Sequence, residues 1–319
     1  MKKILVTGAG GFIGFHLANA LVQKGYWVRA VDIKEPEYEA CQAHEFELLD
    51  LRKYDNCLTA VRGGSEEIYH LAADMGGVGY TSSSHAQIAK NSSLINIHML
   101  EAARICGVKK FLFSSTACVY PLSLQTKPDA PSLKEDDVFP ADPEEGYGWE
   151  KLYMEKLCQY YREDYGLETH VVRFHNVYGP KGTYDGGKEK VPAAVSRKLA
   201  LARDGDVIEV WGDGEQTRSF IYIDDCVEGI YRLMNSDYVH PLNLGMDEMI
   251  SINDLYDLVS GVAGKTIGKH HDLTKPQGVR GRNSDNTRLR EVLKWEPSIS
   301  VKEGIVPTYK WIKSQVNPD

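Results

Sequence analysis

The chain has 319 residues, with 37 Lys and Arg against 45 Asp and Glu, 42% hydrophobic and 26% charged. That is the balance of an ordinary globular protein, able to bury roughly three quarters of its unfolded surface without disulfides or metals, and it excludes disorder and a fibrous fold. A net charge of −8 excludes a general nucleic-acid binder or a partner of anionic membranes, which need a basic face, and no apolar run approaches the about 18 residues of a membrane span.

Lys3 to Thr7 reads as a buried strand, followed by a glycine turn and a helix marked by Phe12, Ile13, Leu17, Ala20 and Leu21 and ended by Gly25. A second strand, Trp27 to Val31, closes on Asp32. The alternation continues with Glu67 to Leu71, a helix near 84–106 and a strand from Lys109 to Phe113. After a Pro- and acid-rich stretch at 121–145 come a helix near 146–165 and the strand Thr169 to Phe174. Strands alternating with helices predict an α/β fold with a Rossmann-type, doubly wound parallel sheet.

Past Gly179-Pro180 the rhythm changes: a glycine-rich loop at 182–187, a helix at 190–203, a strand near 207–211, Ser219 to Tyr222, a helix near 224–234 and the strand Pro241 to Leu244. The elements at 219–245 are expected to return to the sheet. That gives a cofactor domain of 1–177 plus about 219–249, and a smaller, discontinuous C-terminal substrate domain of about 178–218 plus 250–319. The six cysteines are scattered singly, with no CxxC pair or paired histidine spacing. Neither a disulfide framework nor a metal site is expected, and the chain reads as cytoplasmic, without a targeting segment.

The run Thr7-Gly8-Ala9-Gly10-Gly11-Phe12-Ile13-Gly14 sits between a strand and a helix. Gly8 permits the tight turn, Gly11 lets backbone approach a pyrophosphate, and Gly14 lets helix pack on sheet. Asp32, at the end of the second strand, should bind ribose hydroxyls and repel a 2′-phosphate, which favours NAD over NADP. Asp50 can meet the adenine edge or cap a helix. Phe12, Ile13, Leu51, Leu71 and Ala72 complete the expected cofactor set. Tyr147 and Lys151 share a helix face at i and i+4, where a cation can depress the phenol pKa toward a useful base. Ser114, Ser115 and Thr116 place hydroxyls at the carboxyl edge of the sheet.

With its glycine run, Ser/Thr strand end, Tyr/Lys pair and Arg173-Phe174-His175-Asn176-Val177-Tyr178-Gly179-Pro180 in that order, the chain resembles the extended short-chain dehydrogenase/reductase family of nucleotide-sugar enzymes (the NAD-dependent epimerase/dehydratases). The resemblance implies a hydride-transfer triad of Thr116, Tyr147 and Lys151 that oxidises a sugar at C4. A C–H beside an alcohol is far too weak an acid to ionise at neutral pH, whereas beside a ketone its loss gives an enolate. The Asp-Glu pair of the 4,6-dehydratases is replaced here by Ala117-Cys118.

Within the family, the runs Ala72-Ala73-Asp74-Met75-Gly76-Gly77, Gly187-Lys188-Glu189-Lys190-Val191-Pro192 and Gly278-Val279-Arg280-Gly281-Arg282-Asn283-Ser284-Asp285 are most similar to enzymes that epimerise GDP-mannose at C3 and C5. That similarity implies Cys118 and Lys190 as an acid/base pair. An inert strand-end thiol and a solvated or phosphate-binding lysine are the plain alternatives. It also implies substrate contacts from Gly76, Ser115, Asn176, Glu189, Lys190, Lys198, Gln216, Arg218 and Arg280, and a homodimer formed through the helices near 84–106 and 146–165. His175, His270 and His271 read as structural or exposed. A UDP-sugar 4-epimerase, which has no need of Cys118, and a non-catalytic NAD-binding sensor, which has no need of the triad, are the alternatives.

Overall fold

The computed structural model describes residues 1–317. The strands, in chain order, are β1 (Lys3–Thr7), β2 (Trp27–Asp32), β3 (Glu45–Leu48), β4 (Glu67–His70), β5 (Lys110–Thr116), β6 (Glu168–Phe174), β7 (Asn176–Tyr178), β8 (Val207–Trp211), β9 (Thr217–Arg218), β10 (Phe220–Tyr222), β11 (Pro241–Leu244), β12 (Ile250–Ser251), β13 (Gly268–Asp272) and β14 (Gly281–Arg282). Seven of them form one sheet in the order β11-β6-β5-β4-β1-β2-β3, parallel at every pairing. Strand order reverses between β1 and β4. That is the switch point where a doubly wound sheet opens a crevice at its carboxyl edge.

The helices are α1 (Phe12–Gln23), α2 (Tyr54–Val61), α3 (Val78–Thr81), α4 (His85–Ile105), α5 (Tyr147–Tyr165), α6 (Val191–Leu201), α7 (Ile223–Met234), α8 (Ile252–Ala263), α9 (Thr287–Leu293) and α10 (Val301–Val316). None is long and apolar enough to cross a membrane. Each longer helix buries one stripe. In α1, Phe15, Leu17, Ala18 and Leu21 face the sheet, and α5 stops at Gly166, whose left-handed φ of 72° closes the last turn. In α10 a capping box joins Ser300 and Glu303.

Of the two late strands expected in the large sheet, only β11 joins it. β10 instead pairs with β7, Phe220 opposite Asn176, in a separate two-stranded ribbon. The chain breaks from the sheet at His175, whose N–H still reaches the Leu244 carbonyl at 3.0 Å, so β7 leaves with its own partner. Small pairings β12-β9-β14 and β13-β8 lie in the C-terminal part. One apolar cluster runs through both parts, from Ile4, Leu17 and Tyr69 to Leu199, Leu255, Ile305 and Tyr309, and a second fills the other sheet face with Phe111, Phe113, Met99 and Met154.

Candidate active site

The carboxyl edge of the sheet opens into a cavity of about 670 Å³. Its floor is the glycine turn. A Cβ on Gly14 would stand 2.1 Å from the Gly8 carbonyl oxygen, so only glycine lets α1 start this close to β1. Gly10 falls between the three spaced glycines of the motif and was given no role there, yet it is as constrained. A Cβ on it would meet the Lys34 carbonyl oxygen at 2.1 Å, and its N–H donates to Asp32 Oδ2 at 2.9 Å. The other Asp32 oxygen accepts from the N–H groups of Ile33 and Lys34. Burial raises the Asp32 pKa, and these backbone donors act against that rise.

Every expected cofactor residue lines the cavity: Gly8, Gly11, Phe12, Ile13, Gly14, Asp32, Asp50, Leu51, Leu71 and Ala72, with Tyr147 and Lys151. A helix start with free backbone donors and a carboxylate at the next strand end suit a pyrophosphate and a ribose, so the residues present fit a dinucleotide. Asp50 does not cap α2, whose first turn is preceded by Lys53 without a side-chain cap. Its carboxylate is instead gripped by Arg52 Nε and Nη2 at 2.8 Å each, which lowers its pKa.

At the cavity's centre, β5 delivers Thr116 and then turns, the Thr116 hydroxyl accepting from the Cys118 N–H at 3.2 Å. Lys151 is buried, its Nζ donating to the Ser114 carbonyl at 2.8 Å and lying 5.8 Å from the Tyr147 ring centroid. Burial lowers the Lys151 pKa. Tyr147 differs from the expectation of a depressed phenol. Burial raises it well above its usual 10, with the Cys118 and Glu150 charges adding to the rise and the Thr116 hydroxyl opposing it. Beneath them runs a buried polar chain from Thr7 Oγ1 to His70 Nδ1 (2.7 Å), from His70 Nε2 to Asn96 Oδ1 (2.8 Å), and from Asn96 Nδ2 to Glu150. It ties the strand ends of β1 and β4 to the helix that carries the Tyr/Lys pair.

Cys118 and Lys190 line the same cavity. Lys190 caps the start of α6 and is open on the cavity side but crowded elsewhere. Burial lowers its pKa, while the Cys118 and Glu144 charges raise it. Burial raises the Cys118 thiol, with Glu144 adding and Arg282 and Lys190 opposing.

Gly76, Ser115 and Asn176 also reach the cavity, although the Ser115 hydroxyl donates to Glu155. Glu189, Lys198, Gln216, Arg218 and Arg280 are not among its lining residues. Lys198 Nζ donates to the Glu209 carbonyl at 2.7 Å, Arg218 Nη1 to the Thr217 carbonyl at 2.7 Å, and Arg280 forks onto Asp213 at 2.9 Å on both oxygens. Glu189 Oε2 and Gln216 Oε1 are buried without a hydrogen-bond partner.

Two arginines do reach the cavity, Arg52, which holds Asp50, and Arg282 beside Cys118. Arg282 belongs to the Val279-Arg280-Gly281-Arg282 run, whose spacing does not reveal its role. Its Nη1 lies 3.5 Å from Cys118 Sγ. His175 is buried beside Asn243, its pKa pushed to about 3 by burial first and by Arg282, while His270 and His271 are exposed.

The model of the NAD dependent epimerase/dehydratase family matches residues 4–245. The chain belongs to that family. It is 48% identical to GDP-mannose 3,5-epimerase 1 of Oryza sativa subsp. japonica, over 99% of this chain and 83% of the rice protein. It is equally 48% identical to GDP-mannose 3,5-epimerase of Arabidopsis thaliana, over 99% and 84%. Among solved structures, UDP-glucose 4-epimerase of Thermotoga maritima with UDP-glucose superposes with a TM-score of 0.89 at 27% identity, covering 99% of this chain and 100% of that one. UDP-glucuronic acid 4-epimerase of Bacillus cereus, in complex with UDP-glucuronic acid and NAD, gives 0.83 at 26%, covering 99% and 100%.

Proposed function

We propose that this family member epimerises GDP-mannose at C3 and C5, giving GDP-L-galactose, GDP-L-gulose or both. The observation that carries this reading is the thiol and amine, Cys118 and Lys190, lining one cavity with the Thr116/Tyr147/Lys151 set; a 4-epimerase has no use for that pair. The 48% identity to plant GDP-mannose 3,5-epimerases along almost the whole chain supports the same substrate.

The glycine turn and Asp32 would hold NAD, which when bound would accept the hydride from C4 and later return it. Tyr147 takes the C4 hydroxyl proton, with Thr116 holding that oxygen and Lys151 keeping a cation near the phenol. A cation beside the ring favours the ionised phenol and opposes the burial that otherwise keeps Tyr147 protonated. Once C4 is a ketone, one of Cys118 and Lys190 removes a proton from C3 or C5 and the other returns one to the opposite face. Arg282, at 3.5 Å from the sulfur, stabilises the thiolate stage. Gly76, Ser115, Asn176, Glu189, Lys198, Gln216, Arg218 and Arg280 remain proposed contacts for the sugar and nucleotide. The split into a cofactor unit of 1–177 plus about 219–249 and a substrate unit of the rest, and a cytoplasmic setting, belong to the same reading.

Incubation with GDP-mannose in D2O should place solvent deuterium at C3 and C5 and yield galactose- and gulose-configured products by NMR. Absence of both label and product would remove the GDP-mannose assignment. A homodimer through α4 and α5 is proposed from the large apolar side chains these helices expose, namely Leu94, Trp149, Tyr153 and Tyr160. Sedimentation at micromolar concentration should report a dimer, and Tyr153→Glu should report monomers.

A further inference from the structure

One carboxylate behind the cavity wall, held against Arg282, is used by neither the hydride step nor the proton exchange described above. Glu144 sits three residues before Tyr147, in the loop that leads into α5. Its N–H donates to the Cys118 carbonyl at 3.0 Å, and its own carbonyl accepts from the Gly148 N–H at 2.9 Å. A Cβ on Gly148 would stand 2.4 Å from the Cys118 carbonyl oxygen. The turn carrying the thiol and the start of α5 are therefore locked backbone to backbone.

The side chains repeat this lock. Arg282 Nη2 donates to Glu144 Oε1 at 2.6 Å, its Nη1 points at Cys118 Sγ at 3.5 Å, and its Nε is held by Gln125 Oε1. The Arg282 side chain is only 8% exposed, and its three contacts fix the guanidinium against the thiol. The Glu144 carboxylate thereby places a negative charge next to the thiol, bridged to it by Arg282.

We propose that Glu144 is a positioning residue that sets the protonation of the Cys118 thiol, directly through its carboxylate and indirectly by aiming Arg282 at the sulfur. The inference rests on reading Cys118 as an acid/base group. The charged and titratable groups facing the thiol are Glu144 from the loop before α5, Tyr147 from α5, Lys190 from the start of α6, Arg218 from β9 and Arg282 from β14. Burial raises the Glu144 pKa, but Arg282 and neighbouring groups together outweigh it and hold the carboxyl below its usual range, so Glu144 is a fixed negative charge at neutral pH.

When the thiol gives up its proton, the S–H electron pair stays on Sγ. The carboxylate opposes that form and Arg282 favours it. Glutamine at 144 keeps an oxygen for Arg282 and removes the opposing charge. Alanine removes the charge and the grip on Arg282 together.

The test is the pH dependence of iodoacetamide alkylation of Cys118 in the purified protein, quantified on the Cys118 peptide by mass spectrometry so that the other cysteines do not contribute. Glu144→Gln should lower the alkylation midpoint by about one pH unit, the effect of losing a like charge at this range. Glu144→Ala should lower it less, and Glu144→Asp should stay close to the unaltered protein. A midpoint unmoved or raised in both the Gln and the Ala variants would overturn the proposal. Alkylation is read without any sugar, so failure of the D2O experiment would strike the substrate assignment and leave this result standing, and the reverse also holds.

Discussion

Cys118→Ala protein, mixed with GDP-mannose in D2O, should take up carbon-bound deuterium at C3 and C5 at least about 10²-fold more slowly than the unaltered protein, the usual contribution of a positioned acid or base. It should still oxidise C4, so borodeuteride quenching should label C4 of the enzyme-bound sugar. The argument is one of separate machinery: the C4 oxygen belongs to Tyr147 and Thr116, and the carbon acids to Cys118 and Lys190. Near-normal exchange at both carbons would make the thiol inert and assign the proton transfers to Lys190 and another group.

In the unaltered protein the exchange rate should be bell-shaped in pH, because the working pair carries one proton between thiol and amine. At low pH both are protonated and no base remains. At high pH both are bare and no acid remains. Burial lowers the Lys190 pKa and raises that of Cys118, which draws the two titrations together, so the bell should be narrower than for an exposed lysine and cysteine.

Tyr147→Phe should be more damaging and differently so. Removing the phenol hydroxyl takes away the group that accepts the C4 proton, and a loss of about 10³-fold in C4 oxidation is expected. Without the ketone, the protons on C3 and C5 are no longer acidic, so exchange should fail along with borodeuteride labelling, although Cys118 and Lys190 are intact. The two variants thus order the steps. Exchange that survived in Tyr147→Phe would show that deprotonation does not wait for the ketone, and the mechanism would be wrong at its first step.

The sheet and the dinucleotide crevice were legible because their signals are local. Periodicity marks Lys3–Thr7 and Trp27–Asp32, and glycine spacing marks the turn between them. Gly10 escaped because its constraint is the Lys34 backbone, which no spacing displays. Arg280 and Arg282 show the same limit more sharply. Two residues apart on an extended run, they share a face, and nothing in the sequence tells them apart. Asp213 holds one outside, while Gln125 and Glu144 draw the other in. The raised Tyr147 phenol was illegible for a similar reason. The i, i+4 lysine is visible in sequence, whereas the burial that outweighs it is a property of the packed cavity. The pattern singles out none of α2, α3, α8, α9 and α10, and α10 proves to matter for the site.

The glycines of the cofactor turn lie at residues 8–14, yet the crevice they floor is finished by α10, at residues 301–316. Thr308 of α10 lines it, and Trp311 packs edge-on against Tyr38, beyond β2, at 4.9 Å and against Tyr184 of the glycine-rich loop at 5.6 Å. The first six strands by themselves still lack one wall of the dinucleotide site. Tight capture of a dinucleotide therefore depends on α10 being docked, and loosening α10 should weaken it.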